Sequence, residues 1–184
     1  LDLTGKFLTD DYSVRIGFMA DVRFDYVAVD TSPQQSIIVN TINPASADLH
    51  FRGYSKVGPV PQIPDYYTFS VTPPKGYSQP SGDFTRYGDV QPLLTETDDM
   101  FIIMHHGDEI SVNFDSTTTP EGMERSFFLY AWGYYKNKYE AVSGDTVEPL
   151  PFKGMSTYPY PVGESYPYDP EHIAYINEYN TRHY

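Results

Sequence analysis

The sequence predicts an all-β protein: an antiparallel β-sandwich or flattened barrel with a long proline- and tyrosine-rich C-terminal tail and one short C-terminal helix. Three observations predict it. Apolar and polar residues alternate with a period of two through several short stretches. Much of the apolar content lies in 18 tyrosines and 11 phenylalanines, which suit a pleated, half-buried surface better than a helix. Prolines and glycines interrupt the chain between those stretches, as the connections of a sandwich require.

The strands are read in order along the first half. Val14, Ile16 and Phe18 alternate with Ser13, Arg15 and Gly17, and Val22, Phe24, Tyr26 and Ala28 alternate with Arg23 and Asp25. Ile37 to Val39 form a short buried-strand run between the breakers Pro33 and Pro44. Leu49 and Phe51 face opposite to His50 and Arg52. From Gly58 to Gly82 the prolines 59, 61, 64, 73, 74 and 80 leave only Tyr66 to Val71 free to be a strand. Phe101 to Met104 is a continuous apolar run. It leads through a turn at Gly107 into the alternating Ile110, Val112 and Phe114, which predicts a β-hairpin. Phe127 to Tyr135, with Trp132, predicts a strand covered on both faces. Roughly eight strands result, on the usual spacing of such folds, within a domain over residues 1–148.

Residues 149–184 predict a tail. Six prolines between Pro149 and Pro170 leave little backbone to donate to a ladder, so Tyr158, Tyr160, Tyr166 and Tyr168 are expected to pack as pegs on the domain or on a partner. Asp169 as N-cap and Pro170 at the first helical position predict a helix, with Ile173, Ile176 and Tyr179 on one face. No repeat of solenoid or propeller period is visible.

The composition excludes several functions. Acidic residues outnumber basic ones 25 to 12, a net charge of −13, which excludes nucleic acid as a partner and disfavours anionic lipid surfaces. Cysteine is absent, so there are no disulfides and no thiolate chemistry. No apolar run approaches the ~18 residues of a membrane-spanning helix, so an integral membrane protein is not expected. No G-x-S-x-G and no glycine-rich phosphate loop occurs. A catalytic role is therefore not expected, nor is a cofactor.

Four candidate sites remain. His105, His106, Asp108 and Glu109 crowd metal-capable side chains together, but adjacent strand residues point to opposite faces, and a polar hairpin tip explains them. Asp98 and Asp99 suit calcium only weakly; backbone capping is the ordinary use of such a pair. Arg52 and Arg86 sit among aromatics, with Asp89 nearby, and predict a structural ion pair or cation–π contact. Tyr158, Tyr160, Tyr166, Tyr168, Tyr175 and Tyr179 are the candidates for gripping a partner.

Five segments carry a family resemblance. They are Ala47–Ser55, Asp83–Leu94, Asp98–Met104 with Gly107-Asp108-Glu109, Thr146–Ser156 with the Tyr-Pro run, and Tyr179–Arg182. Their order and spacing resemble the C-terminal region of bacterial exported proteins that carry FG-GAP propeller repeats and an ASPIC/UnbV-type segment. The resemblance implies export to the periplasm or the extracellular space and implies no particular activity. That family's calcium loops lie in propeller repeats, so calcium is not implied here, and Ala131-Trp132-Gly133 departs from the acidic pattern expected at that point. The expected function is a non-catalytic extracytoplasmic interaction module, an accessory or structural subunit of an envelope or surface assembly. Its partner would be a protein or a second copy. A carbohydrate-binding sandwich with a glycan ligand is the alternative, and a metal-dependent hydrolase the second alternative.

Overall fold

The computed structural model describes residues 5–7, 10, 12–15, 26–29, 37–56, 68–77, 79–134 and 145–184. By its internal contacts the chain divides into residues 1–39 and 40–184. In the first unit Phe7 meets Tyr12 edge to face at 5.3 Å. The second unit holds the secondary structure: β1 (Ser46–Phe51), β2 (Tyr54–Lys56), β3 (Thr68–Ser70), β4 (Asp83–Phe84), β5 (Gly88–Asp89), β6 (Asp108–Asn113), α1 (Pro170–Tyr179) and β7 (Arg182–His183).

The expected β-sandwich or barrel is not what forms. The strands make one three-stranded antiparallel sheet in the order β5-β1-β6 and two separate pairs, β2-β3 and β4-β7. The physical reason is that alternation reports which side chains can share a face, not whether a ladder partner exists. Residues 26–29, 37–40 and 127–134 alternate or run apolar, yet none of them lies in a strand. Residues 16–18, 22–25, 66–67 and 135 of the expected strands lie outside the described residues. The expected hairpin is corrected too. Phe101–Met104 is not a strand, and β6 pairs with β1 instead, from Ser46 opposite Asn113 to Phe51 opposite Asp108.

The core lies under the central sheet. Alternation in β1 turns Ala47 and Leu49 inward while Ser46 and Asp48 face solvent. Leu49 pairs with Ile110 across the ladder, and both sit on the core face. Val90, which precedes the 3-10 turn Gln91–Leu94, and Leu93 within it close one side of this core, and Tyr175 and Tyr179 of α1 close it further. Gly107 supports the register. Its φ of +103° opens the turn before β6, and a Cβ there would stand 2.5 Å from the Phe51 ring. Its carbonyl also accepts from the N–H groups of Arg52 (2.9 Å) and Gly53 (3.1 Å).

The helix forms where its caps predict. The Asp169 carboxylate accepts from the N–H groups of Glu171 and His172, at 3.0 Å each, and Pro170 needs no acceptor at the first position. Its buried face is Tyr175 and Tyr179 with Ile176 half-buried, while Ile173 points outward. The helix thus packs about one residue round from the expected Ile173 stripe. Its bulky tyrosines reach deeper than a shorter side chain would.

Thr85, fully buried, joins three segments. Its hydroxyl donates to Asn180 Oδ1 (3.1 Å) and accepts from the Ile103 N–H (2.7 Å), and its carbonyl accepts from Arg182 Nε (2.9 Å). Thr85→Val keeps the shape but strands the Ile103 N–H and the Asn180 carbonyl oxygen. Urea unfolding is expected to show a loss of about 1–3 kcal/mol, and Thr85→Ser, which keeps the hydroxyl, a smaller one.

Candidate functional site

The densest cluster of chemically capable groups surrounds Asp108, the first residue of β6, whose side chain is 0% exposed. Its carboxylate accepts from the Tyr87 hydroxyl (2.9 Å), the His105 N–H (3.0 Å), and Nη1 (3.2 Å) and Nη2 (2.6 Å) of Arg182. The guanidinium is therefore a two-pronged clamp on a buried acid. Three rings surround it: Arg182 Cζ lies 4.1 Å from the Tyr87 centroid, 5.4 Å from Tyr184 and 5.5 Å from Phe84. Burial works against the charge on Arg182, but the hydrogen bonds and the negative charge of Asp108 outweigh it and hold the guanidinium above its usual range. Burial and the bond to Asp108 likewise push the Tyr87 phenol up.

His105 completes this network. Its Nδ1 lies 2.9 Å from the His106 carbonyl oxygen, so that nitrogen carries the proton. Nε2 then offers its lone pair to Arg182 Nη1 at 3.0 Å. The ring is wedged edge-on between Phe84 (5.2 Å) and Tyr184 (5.1 Å). A metal would need the lone pair that Arg182 already takes.

The other expected metal ligands are also committed elsewhere. His106 turns away to meet Tyr54 and Tyr77 edge-on and lies 3.3 Å from the Ser55 hydroxyl. Glu109 pairs with Arg52 and stands 3.5 Å from His50. Among the described residues no three His, Cys, Asp or Glu side chains gather as metal ligands. His105, His106, Asp108 and Glu109 thus serve three separate structural contacts, because the turn sends neighbouring side chains to opposite faces.

The expected arginine contacts divide differently from one another. Arg52 stacks over Phe69 at 4.1 Å and binds Glu109. Arg86 lies over Tyr179 at 4.9 Å and donates from Nε to the Glu178 carbonyl. Asp89 accepts from the Gln91 N–H at 2.9 Å, a local bond just before the 3-10 turn. Asp98 makes a local turn bond of the same kind, accepting from the Met100 N–H at 2.9 Å. Asp99 accepts from the Lys153 N–H.

The six tyrosines expected to meet a partner separate into core and surface. Tyr166, Tyr175 and Tyr179 are buried. Tyr175 donates to the Phe101 carbonyl, and burial pushes its phenol up to about 12. Tyr166 packs against Tyr168 and His172 at 5.2 Å each. Tyr158 and Tyr160 are half-buried, the former donating to the Pro149 carbonyl at 3.1 Å. Only Tyr168 is exposed. Of the two outcomes expected for these tyrosines, five of the six pack wholly or in part on the chain itself.

Sequence reasoning missed two features. One is the Arg182–Asp108 clamp; the signal available was an arginine near the C-terminus of an acidic chain, with no indication of its mate. The other is the exposure of residues 127–134. Phe128 is 95% and Leu129 81% exposed, and Phe127, Tyr130 and Trp132 are exposed beside them. Tyr134 anchors the end of this run, 5.5 Å from both Phe101 and Tyr158. No helix among the described residues is long and apolar enough to cross a membrane. No family model, curated protein or solved structure matches the chain.

Two outcomes follow from these contacts. Asp108→Ala leaves a buried guanidinium unpaired and is expected to cost about 3–5 kcal/mol in denaturant unfolding. Removing both charges, as in the double variant Asp108→Ala with Arg182→Met, is expected to cost less than Asp108→Ala alone, which a double-mutant cycle completed by Arg182→Met measures.

His172 contributes one pH dependence to the stability of the fold. It stands between Asp169 (Nδ1 to Oδ1, 2.8 Å) and Asp99 (Nε2 to Oδ2, 3.5 Å). Burial opposes its charged form, but the bond to Asp169 and the charges of both acids outweigh that and raise its pKa above the usual 6.5. A raised histidine stabilises the fold fully below the unfolded value near 6.5, and the contribution disappears as pH rises through the higher folded value. The stability difference between wild type and His172→Gln is therefore expected to be larger at mildly acidic pH than at alkaline pH, read by urea melts at both.

Proposed function

We propose that this chain is a non-catalytic interaction module, an accessory or structural piece of a larger protein assembly outside the cytoplasm. One observation carries the reading: the apolar run Phe127–Tyr134 lies in the open, outside any strand, with Phe128 and Leu129 almost wholly exposed. Large contiguous apolar surface is costly to leave in water and marks a site of protein association. Each residue of the run has a backbone N–H, so the segment can give a ladder of hydrogen bonds to a partner's sheet edge as well as apolar side chains to its face. The chemically capable cluster supports the same reading from the other side. Asp108, Arg182, His105 and Tyr87 satisfy one another, and no nucleophile stands beside an available base there. The extracytoplasmic setting rests on the resemblance to exported proteins alone.

A photo-crosslinking residue placed at Phe128, in protein expressed in its own cell, is expected to give a discrete adduct with another polypeptide. The same residue at exposed Lys75 serves as control. An adduct with a second copy of this chain would redirect the reading to self-association. No adduct at Phe128 above that at Lys75, with a monomeric mass by native mass spectrometry, would sink it.

A further inference from the structure

Strand β6 forms one edge of the central sheet. Its register with β1, together with the bond from the Arg52 N–H to the Gly107 carbonyl, makes His50 with Glu109 and Asp48 with Ser111 hydrogen-bonded pairs. Ile110 and Val112 therefore turn their N–H and C=O groups away from β1. No backbone group among the described residues meets them there. Val112 is 37% and Phe114 46% exposed, so the outer side of the strand is open towards its end. The stretch Ile110–Phe114 carries no charge and no proline, the usual guards of an exposed edge.

The run Phe127–Tyr134 has the opposite deficit. It has donors, acceptors and apolar side chains but lies in no strand. It too carries no charge and no proline. Residues 115–126 separate it from Phe114, and Tyr134 holds its far end against Phe101 and Tyr158. One chain thus holds a ladder without a strand and a strand without a ladder.

We propose that the run of one copy adds to β6 of a second copy, continuing the sheet's antiparallel pattern, and that the exchange is reciprocal about a two-fold axis. The inference rests on the association reading of that run, takes its self-association outcome, and names β6 as the surface met. Reciprocity closes the assembly, since each copy uses both its edge and its run. The area suffices. Phe127, Phe128, Leu129, Tyr130 and Trp132 are exposed, and such side chains offer on the order of 100 Å² each. Two runs, with the edges that cover them, reach the roughly 1,600 Å² of a specific interface. Charge opposes the encounter, because each copy carries −13. The two contacting stretches are themselves neutral, so the repulsion is long-range and screened by salt. Such a dimer tightens as salt rises, whereas a basic partner drawn to the same run would be loosened.

The chain has no cysteine, so introduced thiols have no native rivals. Ser111 is exposed and spends its backbone groups on β1, which gives it a non-hydrogen-bonded position towards an added antiparallel strand, where side chains come closest. Whole chain bearing Ser111→Cys is mixed with chain bearing Phe128→Cys, Leu129→Cys, Tyr130→Cys or Ala131→Cys, and the mixture is mildly oxidised. Disulfides between unlike copies are expected, strong at alternate positions of the run and weak between them, because only one parity shares the face of Ser111. Sedimentation of the unsubstituted chain is expected to show a dimer with a Kd of roughly micromolar order, tighter at high salt than at low. Val112→Pro removes one outward N–H and spares the bonds to β1; it is expected to weaken the dimer about tenfold or more. Leu129→Asp, at an exposed position remote from any ladder, is expected to do the same and carries the test should the proline disturb β6. A chain still monomeric at about 100 μM would overturn the proposal. So would a chain bearing both Ser111→Cys and a run cysteine that closes only within itself, or disulfides equally strong at all four positions. An adduct from Phe128 to a different polypeptide, with Ser111→Cys silent, would overturn it and leave the association reading standing.

Discussion

The fold of residues 40–184 depends on one buried charge finding its mate. Asp108 begins β6 with its side chain wholly buried, and an ionised carboxylate in that position is intolerable without compensation. The compensation comes from Arg182, 74 residues away in sequence. The C-terminal segment must therefore return to the start of β6, and three things follow from that return. Strand β7 is brought beside β4, with Arg182 opposite Phe84. Helix α1, which immediately precedes β7, is laid over the core formed by Leu49, Val90 and Leu93. Tyr87, His105 and Tyr184 are drawn in to satisfy the remaining hydrogen bonds. Such a pair adds little net stability over an apolar replacement, but it penalises every arrangement in which the helix sits elsewhere.

Around that clamp the chain packs by ring edges more than by aliphatic interdigitation. Tyr54 meets Phe51, Tyr77 and His106; Phe84 meets His105 and Tyr184; Tyr166 meets Phe152, Tyr168 and His172. Each edge-to-face pair contributes about 0.5–1.5 kcal/mol beyond the area it buries. The cost is the phenol hydroxyl, which needs a partner or must be buried without one. Tyr175 reaches the Phe101 carbonyl, whereas the hydroxyls of Tyr77 and Tyr166 are buried without a hydrogen-bond partner among the described residues. Burial holds the Tyr77 phenol up at about 12, so it stays neutral beside carboxylates. That neutrality lets so acidic a chain place tyrosines and acids side by side.

The parts of this structure that were legible in the sequence are those set by near neighbours. Asp169 and Pro170 announced α1 because a cap acts over two or three residues. Gly107 announced its turn because φ of +103° is a local demand. Leu49 opposite His50 announced β1, and arginines flanked by aromatics announced the stacking of Arg52 and Arg86, although the rings they found, Phe69 and Tyr179, lie far off in sequence. What was not legible is pairing. Nothing in Ile110-Ser111-Val112 says that its partner is β1 rather than Phe101–Met104. The apolar stretch at 101–104 instead gives its Ile103 N–H to a threonine hydroxyl, a choice that no periodicity encodes. The candidate metal site dissolved for the same reason, since the partners of His105, His106 and Glu109 all come from distant segments.

The run 127–134 does not form the covered strand expected of it, whereas the Tyr-Pro segment packs on its own chain, one of the two outcomes expected, and the backbone explains the difference. A Tyr-Pro segment has fixed φ at each proline and few N–H donors, so it loses little entropy on ordering and makes a poor ladder. It gains most by laying its rings on a surface already present. The run from Phe127 to Tyr134 contains no proline and keeps every donor and acceptor. Laid on its own domain it would bury those groups without a strand to pair them, a loss that side-chain burial alone does not offset. A strand edge supplied by another chain removes that conflict, because it satisfies the backbone and covers the rings in one step. Self-packing therefore suits the proline-rich segment and association suits the proline-free one, whatever their tyrosine content.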